Sequence, residues 1–153
     1  MDPLLLKFLH VTGACLFIGN NLVTPFWKFL AERTRQPAVI AYSQRLVTLT
    51  DVVFTGGGIV LLLVTGHIMI AANPALWELT WLRWGYICFG FSGLIWLAVL
   101  LPVQIKQSRL ARLFADGSPI PAEYWRLSRW WLIAGSAASL LPMMSLYLMV
   151  TKP

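Results

Sequence analysis

The chain has 153 residues, of which 58% are hydrophobic and 12% are charged, and its mean hydropathy is +0.71. Because a soluble domain covers itself with about one charged residue in four, this composition excludes an ordinary soluble fold and predicts one transmembrane domain over residues 1–153. The net charge of +6 does not indicate a nucleic-acid partner, since the basic residues lie between apolar runs, as in cytoplasmic loops of membrane proteins. The lipid bilayer is the expected partner.

Four apolar runs follow one another along the chain, and each reaches the roughly 20 residues with which a helix crosses a bilayer. They predict transmembrane helices over residues 3–30, 46–72, 82–105 and 130–150. Asn73-Pro74 ends the second run with a turn dipeptide, and the segment Asp116-Gly117-Ser118-Pro119 interrupts the connection before the fourth. The predicted fold class is therefore all-α, an integral membrane four-helix bundle.

The distribution of positive charge predicts the orientation of the bundle. Nine basic residues lie in the first and third connections and three on the opposite side, and cytoplasmic loops carry the excess of Lys and Arg. The nine are Lys28, Arg33, Arg35, Arg45, Lys106, Arg109, Arg112, Arg126 and Arg129, and the three are Lys7, Arg83 and Lys152. Tryptophans support the same frame as interfacial belts, namely Trp77, Trp81 and Trp84 against Trp125, Trp130 and Trp131. We expect a bacterial inner (cell) membrane protein with both termini in the periplasm.

Few polar side chains lie inside the apolar runs, and such residues are functional candidates because they are costly in hydrocarbon. Asn20 and Asn21 lie in the first run, and antiparallel pairing of the first two helices sets Asn20 opposite Gly56-Gly57-Gly58. Asp51 is expected at the inner end of the second helix, bonded to local amides rather than carrying protons.

His10 and His67 are the two histidines of the chain, and both fall near the outer ends of the first and second helices. His10 belongs to a stripe of small and polar residues that predicts a face toward the bundle interior, and His67 is compatible with the same direction. Two imidazoles at one level are the axial ligands that haem b needs. The cations Lys7, Arg83 and Lys152 at that edge suit its propionates.

Other uses of the histidines stay open at this point. A single histidine is enough to ligate a haem iron, and either ring is also able to hydrogen-bond a helix carbonyl without any metal. Copper is a weaker alternative, because the methionines form no compact cluster with a histidine.

Several short segments carry a resemblance to a known family: Lys7-Phe8-Leu9-His10, Gly19, Trp81-Leu82-Arg83, and the terminal Val150-Thr151-Lys152-Pro153. Together they resemble HemJ-type protoporphyrinogen oxidases, and the chain is more similar still to a related, uncharacterised family of predicted bacterial four-helix integral membrane proteins. The resemblance implies a bundle that oligomerises, binds haem b through His10 beside Lys7 and Lys152, and oxidises a porphyrinogen with a membrane electron acceptor. The Tyr-His pair of that family has no counterpart in residues 87–101, and its Asn-Glu-x-Pro motif is replaced by Arg126-Leu127-Ser128-Arg129.

These features predict a haem b membrane protein with a redox role, in which the iron exchanges electrons with a quinone or a porphyrin-like substrate. A haem-dependent membrane oxidoreductase is one form of this prediction, with no catalytic residue assigned. The alternative is a non-catalytic accessory or transport subunit without haem, in which the small residues Gly135, Ala138 and Ser139 form a contact face for a partner.

Overall fold

Four long helices make up the chain in the computed structural model, which describes residues 2–153. They are α1 (Pro3–Arg33), α2 (Pro37–Ala72), α3 (Thr80–Leu113) and α4 (Ala122–Thr151), and a short 3₁₀ turn, Pro74–Glu78, joins α2 to α3. All four are long and apolar enough to cross a membrane. The predicted all-α four-helix membrane bundle is confirmed.

All four helices are longer than predicted, and three of them gain two turns or more on the side that carries the nine basic residues. α2 begins at Pro37 rather than 46, α3 ends at Leu113 rather than 105, and α4 begins at Ala122 rather than 130. Hydropathy detects only the apolar part of a helix, whereas these extra turns are amphipathic and pack on each other. Their buried residues Ile40, Ala111, Phe114 and Tyr124 form a separate small core beyond the apolar layer.

The loop between α3 and α4 turns at Asp116 and Gly117, and the positive φ of 101° at Gly117 suits a residue without a Cβ. The backbone N–H and the hydroxyl of Ser118 donate hydrogen bonds to the Asp116 carboxylate at 3.0 and 2.7 Å. These bonds stabilise the charged form and hold the pKa of Asp116 below its ordinary value.

Each helix is interrupted or contains a proline within the membrane. α2 contains a π-helical turn at Asp51–Gly56 and α3 contains another at Trp96–Leu100, while Pro25 lies inside α1 and Pro142 inside α4. Asp51 therefore lies in the middle of α2, and the prediction that it ends a helix is wrong. The apolar run begins at Leu46, but the helix itself begins at Pro37, the first helical position, where proline is favoured.

The helices pack in two pairs, α1 with α2 and α3 with α4, which face each other across the centre of the bundle. Glycine allows α1 and α2 to touch: a Cβ on Gly58 would lie 2.8 Å from the carbonyl oxygen of Gly13 and 2.9 Å from Phe17. In the second pair, Ser92 donates to the Ala138 carbonyl at 3.3 Å, and Ser145 donates to the Gly85 carbonyl at 3.0 Å. Close contact at small residues is the usual basis of helix association in lipid.

Candidate functional site

A cavity of about 310 Å³ lies between the two helix pairs, at the level of both π-helical turns. Its wall is mainly apolar and aromatic, with Phe17, Phe89, Trp96 and Trp131 among its members. Polar side chains interrupt this wall from all four helices: Asn21, Thr24, Asp51, Ser92, Gln104 and Ser139. An apolar pocket with a few convergent polar groups is the usual form of a small-molecule site.

The cavity exists because small residues and helix irregularities meet at one level. A Cβ on Gly90 or Gly93 would meet no other atom within 4 Å in the described part of the chain, so these glycines leave space rather than close contacts. Both π-helical turns supply wall residues, Asp51 from α2 and Trp96 from α3. Such turns re-aim side chains and occur frequently at functional sites.

Asp51 is the one ionisable side chain in the cavity wall among residues 2–153. Asn20 donates to its Oδ1 at 2.8 Å and to the hydroxyl of Thr55 at 2.9 Å, and Thr55 reaches the same Oδ1 at 3.4 Å. The Thr24 hydroxyl in turn donates to the side-chain Oδ1 of Asn20 at 2.9 Å. Asn20 and Thr55 both donate to Oδ1, and neither donates to Oδ2. The Gln104 amide is a further donor near this carboxylate, and a carboxylate has about four acceptor positions, so Asp51 is also able to accept from a molecule in the cavity.

The predicted partners of Asn20 are therefore shifted by about one turn. Asn20 meets Asp51 and Thr55 instead of the three glycines, and Phe17 meets Gly58. Asn21 is half-buried and lines the cavity beside this network. The network extends across α1 and α2, and the amide that donates to Asp51 belongs to Asn20 of the other helix, so the expectation that Asp51 bonds local amides is also wrong.

A second polar cluster lies on the basic side of the cavity, centred on Lys28. Its Nζ is 2.9 Å from the Glu32 carboxylate and donates to Gln44 at 2.7 Å and to the Tyr124 hydroxyl at 3.0 Å. Lys28 is only 3% exposed, whereas the sequence placed it in a connecting loop. The Trp131 indole donates to Gln104 at 3.4 Å, so Trp131 lies between this cluster and the cavity instead of in an interfacial belt.

The sequence contained a signal for Lys28 that the hydropathy boundaries hid. The small and polar stripe on α1 continues from Phe17 through Asn20 and Thr24 to Lys28 at helical spacing, and all four side chains are buried. Lys28 continues this period by one turn, and Glu32 lies four residues after Lys28. Opposite charges at this spacing on a helix are neighbours, which predicts the ion pair. Gln44 and Gln104 carry no comparable signal, because they lie in turns that hydropathy assigns to the membrane edge.

The two histidines do not face each other. His10 contacts α2 through a 2.8 Å hydrogen bond between its Nδ1 and the Thr65 hydroxyl. His67 is exposed, bonds the Leu63 carbonyl of its own helix through Nδ1 at 2.7 Å, and packs edge-on against Tyr86. His67 is two residues after Thr65, which corresponds to a rotation of about 200° about the helix axis. His67 therefore points away from the face that carries Thr65. The inward direction with which the sequence of His67 was compatible is therefore not the one that the structure shows.

A haem held between both histidines does not fit this geometry, because α1 and α2 are in direct contact at Gly13 and Gly58. His10 alone offers a suitable nitrogen. Thr65 uses its own hydroxyl proton on the Leu61 carbonyl, so the His10 Nδ1 must donate to Thr65, which leaves a lone pair on Nε2. Lys7, Arg83 and Lys152 are exposed at the end that holds both termini, and the Lys152 ammonium lies 5.7 Å from the Trp81 ring centroid. Among residues 2–153, no three His, Cys, Asp or Glu side chains converge as metal ligands.

Gly135, Ala138 and Ser139 also have an internal position. Ala138 is 4% exposed and packs in the core, and all three residues line the cavity. The predicted use of this stripe as a face for a partner is therefore wrong: it forms the α4 side of the cavity.

The fold defines a four-helix integral membrane protein, and a mainly apolar cavity with a few polar groups lies between its helices. A family model described as "Predicted integral membrane protein (DUF2269)" matches residues 4–153, and the chain belongs to this family. No curated protein and no solved structure matches the chain. The predicted membership in a family of predicted integral membrane proteins is confirmed, and the resemblance to HemJ-type oxidases stays a prediction.

Proposed function

We propose that the protein binds a small, largely apolar molecule within the bilayer and anchors its polar group at Asp51. The observation that carries this proposal is the position of the Asp51 carboxylate, which lines an aromatic cavity and accepts from Asn20 and Thr55 at Oδ1 alone. A carboxylate has about four acceptor positions, so Asp51 keeps accepting capacity for a ligand even with the Gln104 amide nearby. A quinol headgroup, whose hydroxyls donate hydrogen bonds, belongs to the class of molecule that suits this wall.

The cost of placing the Asp51 carboxylate in the membrane favours a bound ligand over an unfilled cavity. An intramembrane carboxylate costs several kcal/mol unless it is paired or hydrogen-bonded. Among residues 2–153 Asp51 forms no salt bridge, and its bonds from Asn20 and Thr55 both go to Oδ1. The volume of about 310 Å³ is at the lower end of ligand pockets, which begin at about 300 Å³. A ring of the size of a quinol headgroup would cover the aromatic wall and complete the hydrogen bonds of Asp51.

Two probes test the proposal with the purified protein in lipid nanodiscs: decylubiquinol kept reduced, and the aromatic ammonium ion benzyltrimethylammonium. Binding is followed through Trp96 and Trp131, which line the cavity and report its occupancy by fluorescence. We expect saturable binding of at least one probe. Gly93→Leu places a side chain in open space. This variant should retain the fold, and its affinity for the probe should be at least tenfold lower.

The control is Leu97→Met, a change of shape at nearly constant volume in the same wall. It should bind the probe as the unsubstituted protein does. Fluorescence changes that never saturate for either probe, or that are equal in Gly93→Leu and the unsubstituted protein, would overturn the proposal.

The redox role predicted from the sequence is a second candidate, and the observation that favours it is the His10 tautomer. Its Nδ1–H is held by Thr65, as second-shell partners commonly orient a metal-ligating histidine. We expect the protein purified from haem-sufficient cells to show a Soret band that His10→Ala abolishes and His67→Ala leaves unchanged. A colourless preparation, or a band that survives His10→Ala, rejects haem ligation at His10.

A further inference from the structure

Charge balance inside the cavity limits what the ligand is. Asp51 is the one ionisable group in the wall among residues 2–153. α1 contributes Asn21 and Thr24, α3 contributes Ser92 and Gln104, and α4 contributes Ser139 and Trp131. None of these six side chains titrates in the ordinary pH range, and the remainder of the wall is apolar.

The nearest basic group along the cavity-lining stripe of α1 is Lys28, and its charge is already matched. Its ammonium lies 2.9 Å from the Glu32 carboxylate and also donates to Gln44 and Tyr124. Lys28 and the Tyr124 ring lie one layer toward the basic side, with Trp131 between them and the cavity. Among residues 2–153 no Lys, Arg or His nitrogen forms a salt bridge with Asp51, so an ionised Asp51 has no direct cation partner in the protein.

Two states of Asp51 remain that avoid an unpaired charge in hydrocarbon, which is costly. In one state the carboxyl group carries a proton. In the other, a cation from outside the protein lies against the carboxylate. The aromatic wall favours the second state for an organic cation, because Phe17, Phe89 and Trp96 line the cavity and aromatic rings attract positive charge at their faces.

We infer that the ligand is a small apolar cation, such as an aromatic or alkyl ammonium ion, and that it exchanges with a proton at Asp51. The inference rests on the proposed use of the cavity as a binding site and names its ligand class. When the cation enters, the Asp51 O–H bond breaks, the proton passes to water, and the carboxylate pairs with the cation. The charge inside the cavity is the same before and after this exchange.

A matched pair of probes isolates the contribution of charge. Benzyltrimethylammonium and neopentylbenzene have nearly the same shape and differ in a quaternary nitrogen against a carbon, so neither probe titrates. Binding is measured in nanodiscs at about pH 6 and about pH 8, where linkage allows up to a tenfold gain in cation affinity per pH unit if Asp51 is protonated when empty. We expect the cation to bind at least tenfold more tightly than neopentylbenzene at the higher pH, with an affinity that falls as pH falls. The affinity of neopentylbenzene should not change with pH.

Asp51→Asn is the decisive variant, because it keeps an oxygen acceptor for Asn20 and removes the charge. It should bind both probes with similar affinity and no pH dependence, and its binding of neopentylbenzene shows that the cavity is intact. Asp116→Asn, in the exposed loop, is the matched control and should behave as the unsubstituted protein.

The outcomes separate the two proposals. Equal, pH-independent binding of both probes to the unsubstituted protein would overturn the inferred cation and leave the cavity as a binding site. Failure of both probes and of decylubiquinol to bind would overturn the binding function itself, and the cation with it. Tight cation binding that persists in Asp51→Asn would overturn the role of Asp51.

Discussion

Asn20 illustrates how much a single amide does inside a membrane. It donates to Asp51 and Thr55 of the neighbouring helix and accepts from Thr24 of its own helix. Its removal would leave the Asp51 carboxylate without its donor from α1. In hydrocarbon no water replaces that donor, so Asn20 orients the carboxylate as well as joining the two helices.

Asn20→Leu should lower the stability of the bundle by about 1 kcal/mol, since interhelical hydrogen bonds in membranes average somewhat less than that and a buried acceptor is left unsatisfied. The measurement is the midpoint of thermal unfolding in detergent. Asn21→Leu is the control, because Asn21 is half-buried beside the cavity and makes no bond to Asp51. Equal losses in the two variants would contradict the assigned role of Asn20.

Lys28 and Glu32 form a buried ion pair. Removing one of the two charges should lower the stability of the protein more than removing both. Lys28→Met leaves the Glu32 carboxylate, which is 17% exposed, without its cation and should cost about 3 kcal/mol. The double variant Lys28→Met/Glu32→Gln should recover part of this loss.

A double-mutant cycle compares the unsubstituted protein, Lys28→Met, Glu32→Gln and the double variant. Their unfolding midpoints give the coupling energy between the two charges. Lys106→Met, a change at an exposed lysine of α3, controls for the loss of one positive charge. A double variant less stable than Lys28→Met alone would show that the pair does not act as described.

At the scale of whole helices, contact and separation occur at different levels of the bundle. α1 and α2 touch at Gly13 and Gly58 in the half of the bundle that holds the termini, whereas the π-helical turns of α2 and α3 supply wall residues of the cavity. Small residues therefore serve two purposes in this protein. Gly58 allows backbones to meet, while Gly90 and Gly93 keep a space open.

Gly58→Ala tests the first purpose, and Gly57→Ala is a matched control one residue away. A Cβ on Gly58 would lie 2.8 Å from backbone of α1, but a Cβ on Gly57 would meet no other described atom within 4 Å. We expect Gly58→Ala to cost about 2 kcal/mol through overpacking, and Gly57→Ala to be neutral or to stabilise by up to about 1 kcal/mol. Similar unfolding midpoints for the two variants would contradict the close packing of α1 and α2.

The whole molecule is asymmetric across the membrane. Nine basic residues lie at the end where α2, α3 and α4 extend beyond their apolar runs, and this end also has the small core around Tyr124. The opposite end has both termini, the short 3₁₀ turn and three basic residues. The positive-inside rule then predicts that the extended end is cytoplasmic.

Reporter fusions test this orientation in a bacterial inner membrane. Alkaline phosphatase joined after Pro153 should be active, and green fluorescent protein at the same site should be dark, because the C-terminus is expected in the periplasm. Fusions that end at Gly117, in the loop between α3 and α4, should give the reverse pattern. The reverse result at both sites would place the basic end outside the cell and contradict the predicted topology.

Much of the fold was predictable because hydropathy and charge are properties of composition along the chain. The four helices and their order needed only the lengths of the apolar runs, but their basic-side ends did not follow, since amphipathic turns carry no strong hydropathy signal. Asp51, Asn20 and Asn21 were recognised as polar residues in apolar runs, which their cost in hydrocarbon makes conspicuous. Their partners depend on which faces meet, and the π-helical turn at Asp51–Gly56 changes that register.

By itself, the sequence determined a membrane domain of four helices, an expected orientation, and a short set of polar residues within the bilayer. Only the tertiary structure decided that His10 and His67 lie on different faces, that Lys28 is buried, and that Asp51 lines a cavity with Trp96 and Trp131. The physical reason is rotation about the helix axis: each residue turns by about 100°. One extra residue in a π-helical turn therefore changes what a side chain faces, while the hydropathy of the segment stays the same.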